Sequence, residues 1–233
     1  INFFIITVPT PVNKNNKPDL SKIKSAAKLV SVNLKKNDIV VLESTVYPGF
    51  SENFLRSELE KSSDLKYNKD FYIGYSPERI NPGDKKHSLK NITKVVSSNN
   101  KKALKTIKFA YNSILNHKVF VAKDIQTAEA AKVIENTQRD LNIALINELS
   151  IIFEKLNLSI KDVLEAASTK WNFLKFYPGL VGGHCISVDP YYLTYISKKN
   201  NYNPKVILAG RKINDDYHNF IYKRFLKNLK IKK

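Results

Sequence analysis

An α/β fold, with a parallel sheet in the first half and helices alone in the second, is the class this sequence predicts. Two observations predict it. Short β-branched and aromatic runs recur between residues 3 and 121, separated by stretches of helical composition. From Asp124 the strand runs stop, and apolar residues recur at helical spacing to residue 156 without a Gly or Pro. The chain has 233 residues, 42% of them hydrophobic, which is enough to bury a core in one large or two small domains. We place the boundary after Lys123, with a sheet domain over 1–123 and a helical domain over 124–233.

Residues 3–9 form a buried strand closed by Pro9-Thr10-Pro11. Asp19 or Ser21 can cap a helix running to about Lys35. Asp38–Glu43 is a second buried strand, and Ser44-Thr45-Val46-Tyr47-Pro48-Gly49 is the loop after it, leading into a helix that ends near Lys61. Phe71–Tyr75 is a third strand ending at Ser76-Pro77-Glu78. Lys94–Ser97 and Lys118–Val121 follow, with a helical stretch between them. Strands alternating with helices imply parallel pairing through right-handed crossovers. Beyond the long helix, Ile160–Ala167 is a further helix. Lys170–Asp189 is irregular and rich in aromatics, Gly and Pro, and a last helix starts near Lys205.

Charge narrows the partners. The net charge is +18, from 39 Lys+Arg against 21 Asp+Glu. The lysines are scattered rather than striped, and only the tail (Lys223, Arg224, Lys227, Lys230, Lys232, Lys233) forms a run, read as a solvated helix face. Nucleic acid is therefore not an expected partner. No apolar run reaches membrane-spanning length and no signal peptide opens the chain, so no membrane partner is expected. A single cysteine fits a reducing, cytoplasmic setting. The chain holds no Met and opens on an apolar strand, Ile1-Asn2-Phe3-Phe4, which reads as a fragment of a longer protein.

Several residues carry possible chemistry. In a parallel sheet ligands lie beyond the carboxyl ends of the strands, and Thr10, Thr45 and Glu78 each follow a strand. Taken singly, turn or cap chemistry explains each of them; together they suggest a site. Lys132 and Asn136, four apart on the long helix, share a face and can hold a hydroxyl, a water or an oxyanion, or form an ordinary surface pair. Glu129 and Glu135 are placed on the solvated side of that helix. Cys185, within Gly182-Gly183-His184-Cys185-Ile186-Ser187-Val188-Asp189-Pro190, is either a buried filler or a nucleophile. His184 points away from its neighbour in an extended segment and is badly placed as its base. His87, His117 and His218 show no metal-ligand spacing, and no metal is expected.

Five stretches stand in order: Val8-Pro9-Thr10-Pro11, Glu43–Gly49, Ser76-Pro77-Glu78-Arg79-Ile80-Asn81-Pro82-Gly83, Ala130-Ala131-Lys132-Val133-Ile134-Glu135-Asn136-Thr137 and Gly182-Gly183-His184-Cys185. With them the chain resembles, over essentially its whole length, the UDP-glucose/UDP-N-acetylhexosamine 6-dehydrogenase family. Its wording is closer to the N-acetylhexosamine branch, because Cys185–Tyr192 matches that branch and the glucose branch usually has Lys where Val188 stands. Glucose-branch members also often carry a second glutamate at the place of Pro82.

The resemblance implies the second half of an NAD-binding Rossmann-like domain, a long central helix that forms homodimers, and a UDP-sugar substrate. The Gly-x-Gly-x-x-Gly turn and the UDP-binding C-terminal domain are not among these residues. It implies a four-electron oxidation of a C6 hydroxymethyl to a carboxylate with NAD, serving capsule or O-antigen sugars. Cys185 would form a thiohemiacetal and then a thioester, and Glu78 would act on the hydrolytic water. Lys132, with Asn136, would stabilise oxyanions, and Lys132 would lower the Cys185 pKa. Asp189 and Thr45 would work through a water in the first oxidation. Pro9, Thr10, Thr45 and Glu78 would contact NAD. Phe173, Leu174, Gly182 and Gly183 would wrap the sugar nucleotide beside Lys132 and Asn136, with Arg211 and Asn214 facing it. UDP-GlcNAc and UDP-GalNAc are not told apart. Three other readings stand beside this one: a UDP-glucose 6-dehydrogenase, a two-electron β-hydroxyacid dehydrogenase without need of a cysteine, and an inactive basic binding fragment.

Overall fold

A computed structural model of the chain describes residues 2–80, 84, 86–116 and 119–231. Ile1, Asn81, Pro82, Gly83, His117, Lys118, Lys232 and Lys233, all named above, lie outside the described residues. The chain divides into two compact units, one of Ile1–Ile134 with Tyr191–Ile196, the other of Glu135–Pro190 with Ser197–Lys233.

The first unit is built on β1 (Phe3–Ile6), α1 (Ser21–Ser31), β2 (Ile39–Leu42), α2 (Arg56–Ser63, preceded by a π-helical turn, Ser51–Leu55), β3 (Tyr72–Tyr75), β4 (Val95–Ser98), α3 (Lys101–Asn112) and β5 (Phe120–Val121). Among the described residues the sheet order is β1-β2-β3-β4-β5. β1, β2 and β3 pair in parallel, with Phe3 opposite Ile39 and Ile39 opposite Tyr72, and β4 pairs in parallel with β5. β4 runs antiparallel to β3, with Tyr75 opposite Ser97, against the expectation of parallel pairing throughout. Parallel neighbours need a crossover element. Helices supply it between β1 and β2, β2 and β3, and β4 and β5. Between β3 and β4 the described residues hold only a short 3-10 turn, Leu89–Asn91.

β2 is buried along its whole length, as expected of an apolar strand covered on both faces. One face holds a core of Ile39, Val41, Val96, Ala103, Ile107, Tyr111 and Val119. α3 presents its apolar stripe to this core, and its Asn100 cap accepts from the Lys102 and Ala103 amides. α1 packs on α2 and on the π-helical turn before it, and Ile23, Ala27, Leu55 and Leu59 are buried.

Helix α4 (Ile125–Lys155) matches the long helix read from residues 124–156 and runs through the boundary between the units. The second unit continues with α5 (Ile160–Ala167), α6 (Asp189–Lys199, whose middle belongs to the first unit) and α7 (Lys205–Ile231). Ser159 caps α5 through the Asp162 amide. Gly210 brings α7 close to α4, because a Cβ there would lie 2.5 Å from Leu141 Cδ2. Lys223, Arg224 and Lys227 are exposed on α7, and Arg224 pairs with Glu154 at 3.4 Å. Among the described residues no helix is long and apolar enough to cross a membrane.

Gly74 tests how tightly this core is packed. A Cβ at Gly74 would stand 2.3 Å from Ile107 Cδ1 and 3.1 Å from the Ser97 carbonyl. Gly74→Ala is expected to cost about 1–3 kcal/mol in urea denaturation. Ile107→Val, which removes Cδ1, is expected to cost less in the Gly74→Ala background than in the parent.

Candidate active site

The loops after β1, β2 and β3 are tied to one another within the first unit. Thr10 Oγ1 donates to the Thr45 carbonyl at 2.8 Å, and Ser44 Oγ donates to the Val8 carbonyl at 2.6 Å. The Tyr192 hydroxyl donates to the Thr10 carbonyl at 3.0 Å. Tyr47 is buried against Phe50, Tyr192 and Tyr195, and burial, with Tyr195 and Glu129 nearby, pushes its phenol up to about 12. Two of the three predicted strand-end residues, Thr10 and Thr45, are therefore in one hydrogen-bonded set. Pro9 is exposed beside them.

Glu78 is exposed, its amide bonded to the Glu43 carbonyl at 3.2 Å and its Oε1 accepting from the Arg79 and Ile80 amides at 2.6 Å. Its loop rests on a buried cation. Lys94, 1% exposed, donates to the Pro77 carbonyl and to Glu43 Oε2, both at 3.2 Å. The Tyr111 hydroxyl donates to the other Glu43 oxygen, and Lys94 Nζ stands 5.2 Å from the Tyr111 ring centroid. Burial, then Glu43, push the Tyr111 phenol up.

Lys132 and Asn136 occupy successive turns of α4 and are each 8% exposed, so the alternative of an ordinary surface pair is excluded. Glu129 corrects the sequence reading. Expected on the solvated side, it is 0% exposed, and its Oε2 and Oε1 accept from the Gly49 amide at 2.6 Å and the Ser51 amide at 2.8 Å. The rule that helix acids face water fails because these two amides, at the start of a helix, lack intrahelical acceptors. Burial pushes the Glu129 carboxyl up to about 7 even against these bonds. Glu135 is half-buried.

In the second unit Asn136 Nδ2 donates to Asp189 Oδ2 at 2.5 Å, and Asp189 is 3% exposed. The Asp189 amide donates to the Cys185 carbonyl at 2.8 Å, and the Val188 amide to the same oxygen at 3.1 Å. Asn136, Asp189 and Cys185 thus form one connected set. Cys185 is exposed, which removes the buried-filler alternative. His184 and Cys185 lie in a bend entering α6, not in an extended segment, so the alternation expected of them does not apply. Gly183 has φ +83°, a conformation that favours glycine. Gly182 and Leu174 are exposed and Phe173 is half-buried.

Arg211 is 2% exposed, its guanidinium donating to Asp140 at 2.6 Å and pairing with Asp215. Asn214 donates to Asp140 Oδ1 at 2.7 Å and accepts from Asn147 at 2.8 Å. Asn147 in turn donates to the Gly179 carbonyl at 3.0 Å and accepts from its amide at 2.9 Å. The two α7 residues expected to face substrate, Arg211 and Asn214, are part of the buried mesh that holds the loop before Gly182. A cavity of about 490 Å³, lined by Ile160, Leu164, Ser168, Lys175 and Tyr177 among others, lies between α5 and this loop.

Two family models match the chain: the NAD binding domain of the UDP-glucose/GDP-mannose dehydrogenase family over residues 1–115, and its central domain over residues 126–216. The chain belongs to the UDP-glucose/GDP-mannose dehydrogenase family. It is 54% identical over 226 residues to the UDP-N-acetyl-D-glucosamine 6-dehydrogenase of Salmonella typhi, covering 97% of this chain and 53% of that protein. It is 54% identical over 228 residues to Protein CapL of Staphylococcus aureus, covering 98% and 54%. The structure of a UDP-D-ManNAc dehydrogenase from Pyrococcus horikoshii matches with a TM-score of 0.89 at 31% identity, covering 98% of this chain and 54% of that one. The chain spans about half the length of the curated relatives it matches.

Sequence reasoning missed Glu129, Lys94 and the Asp140–Asn147 mesh. Glu129 had a signal, since it lies three residues before Lys132 and seven before Asn136, on one stripe of α4. The raised Glu129 value carries a pH prediction. The folded chain holds this proton more tightly than the unfolded chain, whose carboxyl titrates near 4.5. The stabilisation is therefore full below 4.5 and is lost as pH rises through about 7. Denaturation of parent and Glu129→Gln across this window is expected to show the parent losing about 3 kcal/mol relative to the variant.

Proposed function

We propose that the whole protein containing this chain is an NAD-dependent UDP-N-acetyl-D-glucosamine 6-dehydrogenase. It would oxidise the C6 hydroxymethyl to the carboxylate in two successive steps, for capsule or O-antigen polysaccharide. The observation that carries the reading is the set Asn136–Asp189–Cys185, in which the Asn136 side-chain amide donates to the buried Asp189 carboxylate and the Asp189 backbone N–H donates to the backbone carbonyl of Cys185, whose residue is exposed. The identity to the Salmonella typhi enzyme supports the substrate.

The chain's residues fit a dinucleotide at the carboxyl ends of the parallel strands, where the hydrogen-bonded Thr10 and Thr45 loops lie. Bound there, NAD+ would accept a hydride at each of the two oxidations. Pro9, Thr10, Thr45 and Glu78 would line its site. In the first oxidation Asp189, through a water positioned by Thr45, takes the hydroxyl proton as the C6 hydride leaves, giving an aldehyde. An aldehyde does not yield an acyl product by losing hydride until a nucleophile has added to it. The Cys185 thiolate adds to the carbonyl carbon to give a thiohemiacetal, and Lys132 and Asn136 stabilise its oxygen. Loss of the second hydride leaves a thioester, and water activated by Glu78 hydrolyses it to the carboxylate and free thiol.

Phe173, Leu174, Gly182 and Gly183 would wrap the UDP-sugar, with Arg211 supporting that loop from the mesh behind it. A homodimer through α4 is supported by Ile134, Leu145 and Ile152, which are exposed and recur on one face of the helix.

The test is stoichiometry. The whole encoded protein, given UDP-GlcNAc and excess NAD+, is expected to form two NADH per sugar, and Cys185→Ser is expected to abolish the carboxylate product. One NADH per sugar, unaffected by Cys185→Ser, would show a two-electron hydroxyacid-type dehydrogenase instead.

A further inference from the structure

We propose that Glu129 is a positioning residue for the reaction, fixing the Thr45 loop against the turn of α4 that carries Lys132. The inference rests on the functional reading above, in which Thr45 and Lys132 serve one reaction. Glu129 is fully buried, and its two oxygens accept from the amides of Gly49 and Ser51 at 2.6 and 2.8 Å. These amides close the loop that begins at Ser44. The start of the loop is fixed by Ser44 Oγ on the Val8 carbonyl and Thr10 Oγ1 on the Thr45 carbonyl. Its middle is fixed by the burial of Val46 and Tyr47. Gly49 turns the chain at φ +86°, which aims its amide at the carboxylate. Glu129 thus ties the far end of the Thr45 loop to α4, one turn before Lys132.

The residue type supports more than a structural anchor. A buried carboxylate is costly to desolvate. A glutamine would keep one acceptor oxygen and turn its amino group toward the second N–H. Only a carboxylate accepts from both amides, so both ends of the fork fix the loop. The cost is borne at the junction between two elements that carry proposed chemistry. The consequence falls mainly on the transition state, because Thr45 positions the water and Lys132 the oxyanion, while Pro9, Thr10 and Glu78 still line the NAD site.

The experiment is a double-mutant cycle on the whole encoded protein, assayed with UDP-GlcNAc and NAD+. Glu129→Gln, shown folded by circular dichroism, is expected to lower kcat about 10- to 100-fold. KM for either substrate is expected to stay within about threefold. Glu129→Asp, which keeps the charge but shortens the reach, is expected to lower kcat as well. Adding Glu129→Gln to Thr45→Ala is expected to lower kcat little further, because both act through one loop. Amide exchange at Gly49 and Ser51 is expected to accelerate in the Gln variant while the sheet stays protected. Losses that multiply in the cycle, full activity in Glu129→Asp, or unchanged exchange at Gly49 and Ser51 overturns the proposal. An inactive parent on UDP-sugars overturns the functional reading, and this proposal with it.

Discussion

A polar side chain buried on a helix must find a partner, and α4 is organised by that requirement. Glu129, Lys132, Asn136, Asp140, Asn147 and Ser150 are all buried and recur every three to seven residues along it. Their partners are the segments that an apolar core could not hold in register. Glu129 takes the loop after β2, Asn136 takes Asp189 at the start of α6, and Asn147 takes Gly179. Ser150 meets the Tyr217 hydroxyl at 2.8 Å. Apolar contacts are non-directional and would let these loops slide. Hydrogen bonds from α4 fix each of them atom by atom within its own unit.

Two of these buried groups are carboxyls, and the chain treats them differently. Asp140 faces a guanidinium at 2.6 Å, and Asn214 donates to it as well. Burial raises its carboxyl while the Arg211 charge opposes that rise. A charge pair of this kind resists loss of either member, because removing one strands the other. Glu129 meets amides, which carry only partial charges, and its carboxyl rises to about 7. The first arrangement suits a permanent brace between α4 and α7. The second holds the loop after β2 through two backbone amides without a paired charge.

How much of this was legible in the sequence follows from the kind of interaction involved. The strands and the long helix were legible because hydrophobic periodicity is local. Cys185, Lys132 and Asn136 could be singled out as candidates because their motifs stand in order. The burial of Glu129 was not legible, because its partners lie about eighty residues away, and acids on helices usually face water. The Arg211–Asp140 pair was not legible either, because its two members are seventy-one residues apart. Helix α6 went unread although Asp189-Pro190 is a start signal, since an aromatic run with a Pro also describes a loop.

The reversal of β4 has a consequence for the strand-end loops. In a parallel sheet the residues that follow each strand gather at one edge. Because β4 runs antiparallel to β3, the residue before β4 comes to that edge instead of the one after it. That residue is Lys94, and there it reaches the Pro77 carbonyl and Glu43. A parallel β4 would have carried Asn99 to the same edge, with too short a side chain to span both. The one topological departure from the expected sheet is thus what supplies the buried cation under the Glu78 loop. Tyr111 on α3 completes the support by donating to Glu43. The ammonium is then held by a carboxylate, a carbonyl and a ring face, which together offset the cost of burying it.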